Sequence, residues 1–189
     1  PQNSDSFLAM TDLHAWLTDL PCRHMLAILD CCFARAFRWS ATRQLRVLPD
    51  VIYKERYDRY LRSPAWQVLT SAAYDQEALD ILAGNALGRR ESDHNLHSPF
   101  ALALFDALEK GDADLIPKGQ GDGVITATEL YLYLREQVEV QAENLVNHEQ
   151  TPGLWPLNKH RKGEFIFLAP GHPLNLPPAP TLTEEANPY

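Results

Sequence analysis

The sequence predicts an α/β fold with a mostly parallel sheet flanked by helices. Three short, continuously apolar runs carry this expectation: "HMLAILD" (24–30), "WQVLTSA" (66–72) and "EFIFLA" (164–169). Runs of that length and character read as strands buried on both faces. Amphipathic helical patterns separate them, and strands alternating with helices are what crossover connections in a parallel sheet produce. With 189 residues and 45% apolar content, the chain can also bury one sizeable core.

Taken in order, "MTDLHAWLTDL" spaces Leu13, Trp16, Leu17 and Leu20 as one helical face, with Thr11 as its cap. The strand 24–29 follows. "DVIYKERYDRYLR" (50–62) sets its aromatics on one helical stripe, and the strand 66–72 comes next. "SPFALALFDALEK" opens with Ser98 as cap and Pro99 at the first helical position. "TATELYLYLREQVEVQAENL" (126–145) is the longest helix, and Thr126 and Glu129 have the spacing of a capping box. Tyr131, Leu134 and Val138 share a stripe that reads as core. Trp155 in "TPGLWPL" reads as a cover for the sheet edge. Three strands are few for a parallel sheet, so either one edge is missing from this chain or another segment supplies it. The start, "PQNSDS", lacks Met and reads as mid-loop, which fits a piece of a longer protein. The domain is expected over 1–169. Residues 170–189 hold six of the 14 prolines and read as an extended linker toward a further domain.

Charge and composition exclude some classes. The net charge is −8 and Lys and Arg form no block, which argues against a nucleic-acid surface. The acidity reads first as a contribution to solubility and second as a preference for a cationic ligand. No apolar run approaches the roughly 20 residues of a membrane span, and no signal peptide is evident. Cys22, Cys31 and Cys32 are odd in number and two are adjacent, a poor disulfide framework. A reducing, cytoplasmic setting is expected.

The chemistry centres on "DCC". In open α/β sheets ligands bind at the carboxyl ends of the strands, where Asp30, Cys31 and Cys32 fall. Side chains alternate along an extended chain, so Asp30 and Cys32 share one side and Cys31 takes the other. Two structural cysteines are the alternative, because free Cys is among the most buried residue types. The acid disfavours thiolate at Cys32 and is better suited to bind an Arg or Lys side chain. A thiol nucleophile needs a base, normally His. His24 lies at the other end of the same strand, and His94, His97 and His160 fall in loops without an active-site turn.

These residues belong to an ordered set: "LDCCFARAF", "VLTSAAYDQEAL", "HSPFALALFDAL", "GDGVITATELYLYLREQV" and "QTPGLWPLNKHRKGEFIF". The set resembles the caspase-like cysteine peptidases of clan CD, family C14, nearest the bacterial caspase and metacaspase branch, and covers the chain to about residue 169. The resemblance implies a caspase-hemoglobinase fold, a six-stranded sheet between helices, with the early strands missing from this chain. It implies thiol protease activity, with peptide-bond hydrolysis by a Cys-His dyad and Cys32 as nucleophile. Asp30 would line the pocket for the residue preceding the scissile bond, giving cleavage after Arg or Lys. Asp75 is a second candidate for that pocket, or a helix cap before "QEALDI". The family's catalytic His sits upstream in a Gly-His-Gly turn absent here, so an N-terminal part of the peptidase domain is the expected partner, alongside a peptide or protein substrate. "EEANPY" resembles the junction to a STAND-type NTPase with sensor repeats, found in bacterial signalling and defence. One departure stands out: Arg35 replaces the family's Gly after the nucleophile, and a positive φ there would strain an Arg. A catalytically inactive interaction module is therefore the alternative.

"KGQGDGVITATE" resembles the second half of an EF-hand loop, with Asp122, Gly123, Ile125 and Glu129 at positions five, six, eight and twelve. Lys118 would take the first ligand position, where it repels Ca²⁺, and Gln120 the third. The stretch reads first as a Gly-rich turn into a capped helix, with calcium as the alternative; no other metal or cofactor is expected.

Overall fold

The computed structural model describes residues 8–31, 58, 60–73, 76, 78, 97–114, 121–146 (backbone only for 144–146) and 149–171. Its centre is a strand of six buried residues, "AWQVLT". The elements run α1 (Met10–Asp19), β1 (His24–Leu29), β2 (Ala65–Thr70), α2 (Pro99–Phe105), β3 (Val124–Thr126), α3 (Ala127–Val146), β4 (Gly153–Pro156) and β5 (Ile166–Leu168). Alpha and beta elements are mixed, and the sheets are small.

β1 and β2 pair in parallel, from His24 opposite Ala65 to Leu29 opposite Thr70. β4 pairs with the far side of β2 in the antiparallel sense, from Gln67 opposite Pro156 to Thr70 opposite Gly153. β2 is thus central, and all six of its residues are buried, as its apolar run predicts. β1 departs from that expectation. Only Met25 is buried and the other five residues are half-buried, because among the described residues β1 pairs on one side alone. Among the described residues, parallel pairing is limited to β1 and β2.

The run 164–169 is the second departure. Its strand, β5, does not join this sheet but pairs antiparallel with β3 in a separate two-stranded ladder. Gly123, with φ of +88°, turns the chain into β3, and its carbonyl accepts from the amide of Ala169 at 2.9 Å. A positive φ costs Gly no steric clash, which suits it to that turn. β4 is masked in the sequence by Pro152, just before it, and Pro156, its last residue; Pro156 is tolerated because, among the described residues, β4 is an edge strand. Trp155 lies on that edge strand, opposite Val68.

Side-chain alternation distributes the sheet's two faces between helices. Met25, Ala27, Leu29, Trp66 and Val68 meet Met10, Leu13 and Leu17 of α1. Leu26, Ile28 and Leu69 meet α2 and α3, where Phe100, Leu130, Leu134 and Val138 are fully buried. Each such side chain contributes roughly 1.5–3 kcal/mol through removal from water. The predicted stripe on α3 holds at Leu134 and Val138, while Leu130 takes the place expected of Tyr131, which is only partly buried against the same core.

The helix caps test the sequence most finely. Ser98 Oγ accepts from the amide of Ala101 at 2.9 Å, with Pro99 at the first helical position of α2. The capping box forms in full: the amide of Thr126 donates to Glu129 Oε2 at 2.8 Å, and the amide of Glu129 donates to Thr126 Oγ1 at 3.1 Å. α1 differs. Ala9 is its cap, without a side-chain bond, and Thr11 lies within the helix. Trp16 of the predicted apolar face is 61% exposed and Leu20 is also exposed. Of the 50–62 pattern, Asp58 and residues 60–62 are described and helical. The proposed linker lies outside the described residues from 172 onward, and no described helix is long and apolar enough to cross a membrane.

Candidate functional site

The carboxyl ends of β1 and β2 converge on one point. The amide of Ser71, just after β2, donates to the carbonyl of Leu29 at 3.0 Å, so Asp30 emerges directly beside Ser71. Asp30 is exposed and Cys31 half-buried. Leu26 and Ile28 face α2 and α3, and Asp30 continues their side of the strand. Its carboxylate Oδ2 accepts a hydrogen bond from the hydroxyl of Ser98. That same hydroxyl accepts from Ala101, so one buried oxygen caps α2 and holds Asp30. Cys32, Asp75 and Arg35 lie outside the described residues.

The loop after β2 is fastened from the opposite side. Gln150 Nε2 donates to the carbonyl of Ser71 at 2.8 Å. Gln76 Oε1 accepts from the amide of Thr151 at 2.7 Å and from that of Ala73 at 3.3 Å. The hydroxyl of Thr70 donates to the carbonyls of Ala72 and Gly153 at 3.1 and 3.4 Å. These bonds hold Ser71, Ala73 and Gln76 against the segment 150–153. The three bonds to Gln150, Thr151 and Gly153 were not legible beforehand, because their partners lie 75 to 83 residues apart and Gln carries no local pattern. Ser98 was legible as a cap, but its contact with Asp30 across 68 residues was not.

Three histidines take structural places. His24 Nε2 lies 2.9 Å from the carbonyl of Ser63 and 3.3 Å from that of Tyr60, at the amino end of β1. His160 Nδ1 accepts from the amide of Trp66 at 3.2 Å, near the amino end of β2 and so away from Asp30. Burial and then the neighbouring Arg161 push its pKa down, which suits an imidazole acting as acceptor. His97 adjoins Ser98, but its ring stands edge-on to Phe105 at 5.1 Å, at the far end of α2. His94 lies outside the described residues.

Two buried carboxyls complete the electrostatics. Glu129 is pushed up to about 7 by burial, despite its bonds from Thr126, with Asp122 and Asp114 adding like charge. Glu164 is also raised by burial, although Oε1 accepts from Thr128 Oγ1 at 2.7 Å, Thr128 N at 3.0 Å and Gln67 Nε2 at 3.2 Å. This second network joins β2 to the start of α3. In the EF-hand-like stretch, Asp114 binds the amides of Asp122 and Gly123 at 3.0 and 2.9 Å, while Glu129 Oε2 serves the capping box. Among the described residues no three His, Cys, Asp or Glu converge as metal ligands.

No family model, curated protein or solved structure matches this chain. The caspase resemblance therefore rests on the quoted motifs alone.

Proposed function

We propose that the chain is the C-terminal part of a caspase-like cysteine endopeptidase domain that cleaves after Arg or Lys. The observation that carries this reading is Asp30: an exposed carboxylate at the carboxyl end of a parallel strand, held by a buried hydroxyl, two residues before Cys32. In the proposed reaction Cys32 attacks the scissile carbonyl, and a His from a preceding segment takes the thiol proton and returns it to the leaving amine. Backbone amides near Cys32 and that His stabilise the oxyanion. Asp30, with Asp75, receives the basic side chain. The half-buried apolar edge of β1 suits a further strand of a caspase-hemoglobinase sheet, supplied by the segment that carries the His. A STAND-type region beyond the linker and a role in bacterial signalling or defence belong to the same reading.

The test is turnover of fluorogenic peptides ending in Arg, Lys or Asp by the complete domain. The proposal expects Cys32-dependent cleavage of the Arg and Lys peptides. Absence of any activity sensitive to Cys32→Ala would refute it, and would favour the inactive module that Arg35 suggests.

A further inference from the structure

We propose that Ser98 is a positioning residue that presets Asp30 for a guanidinium or ammonium group. The inference rests on the reading of Asp30 as the acid that receives a basic side chain. Ser98 is 6% exposed and its oxygen has two partners. It accepts from Ala101 N at 2.9 Å and donates to Asp30 Oδ2. An amide donating to a hydroxyl that donates to a carboxylate forms a chain in which each bond polarises the next. A bond to an ionised acceptor is also among the stronger hydrogen bonds.

The geometry has a directional consequence. Asp30 is exposed, and an exposed carboxylate ordinarily samples several rotamers. Ser98 anchors Oδ2 of this exposed residue to the start of α2. A cation then meets an acceptor whose orientation has already been fixed, so less freedom is lost on binding. Ser98 itself is buried and does not meet the ligand. It acts through Asp30.

Substitutions at Ser98 separate this role from helix capping. Gly at an N-cap costs only a few tenths of a kcal/mol relative to Ser, so Ser98→Gly keeps α2 nearly intact while removing the hydroxyl. Ser98→Thr keeps a hydroxyl that can both cap and donate. The probe is agmatine, a small alkyl guanidinium, titrated by calorimetry into the full chain carrying Cys32→Ala. Binding should weaken at least fivefold with Asp30→Asn and with Ser98→Gly, and Ser98→Thr should restore it to within twofold. In the active protein, Ser98→Gly should raise KM for Arg peptides and leave kcat nearly unchanged. Agmatine binding unaffected by Ser98→Gly, not restored by Ser98→Thr, or absent from the parent chain would overturn the proposal. Failure of the peptidase reading registers separately, as missing Cys32-dependent cleavage beside intact agmatine binding.

Discussion

Glu129→Gln should abolish a pH dependence of stability that opposes ordinary acid unfolding. The carboxyl ionises near 4.5 when free and near 7 in the fold, chiefly because burial penalises its charge. Between those values the folded chain holds more protons than the unfolded chain, so this group's contribution to stability falls as pH rises. Below 4.5 both states are protonated and nothing is lost; above 7 the full loss is present. At 1.36 kcal/mol per pH unit, the interval of ~2.5 gives about 3 kcal/mol. Gln keeps an oxygen that can accept from the amide and hydroxyl of Thr126, and it carries no charge to desolvate. Glu164 acts in the same direction, since its pKa is also raised. His160 opposes it: its lowered pKa favours the fold at higher pH and costs stability as pH falls below its usual 6.5. Comparing variant with parent cancels both. Urea unfolding at about pH 4 and about pH 8 should show near-equal stabilities at the lower pH. At the higher pH the Gln variant should be more stable by about 3 kcal/mol. Parallel pH profiles would refute the reasoning.

Three other substitutions probe the frame of the site. Leu134→Ala removes a fully buried side chain from the α3 core and should cost about 2–5 kcal/mol by chemical denaturation. Gly163→Ala would put a methyl 2.0 Å from the carbonyl oxygen of Ser63, and the forced backbone shift should lower stability by about 1–3 kcal/mol. Gln76→Ala leaves the amides of Thr151 and Ala73 without their side-chain acceptor. It should cost about 1–3 kcal/mol and speed local amide exchange at Thr151, whereas unchanged exchange would dissociate this bond from the turn's order.

What could be read from the sequence was local. Ser98 with Pro99, and Thr126 with Glu129, specify helix starts through atoms only a few residues apart, and both caps form. The continuous apolar run of β2 reported a strand enclosed on every side. The similar run in β1 did not, because burial depends on neighbours that the run itself does not encode. β5 was legible as a strand, but not the sheet it joins, and β4 was not read as a strand. Their pairing is set by Val68 and Ile125, far away in the chain, and Pro156 weakens the local signal of β4. At the site, alternation along β1 separates Asp30 from Cys31, but which helix Asp30 meets and the identity of its partner were tertiary facts.

The most direct measurement is covalent labelling by a peptide electrophile with Arg at the position preceding its warhead, mapped by mass spectrometry on the complete protein. The account predicts one adduct, on Cys32, formed far more slowly when Asp30 is changed to Asn and outcompeted by Arg but not Asp peptides. Equal labelling of Cys22, Cys31 and Cys32, indifferent to Asp30, would contradict it.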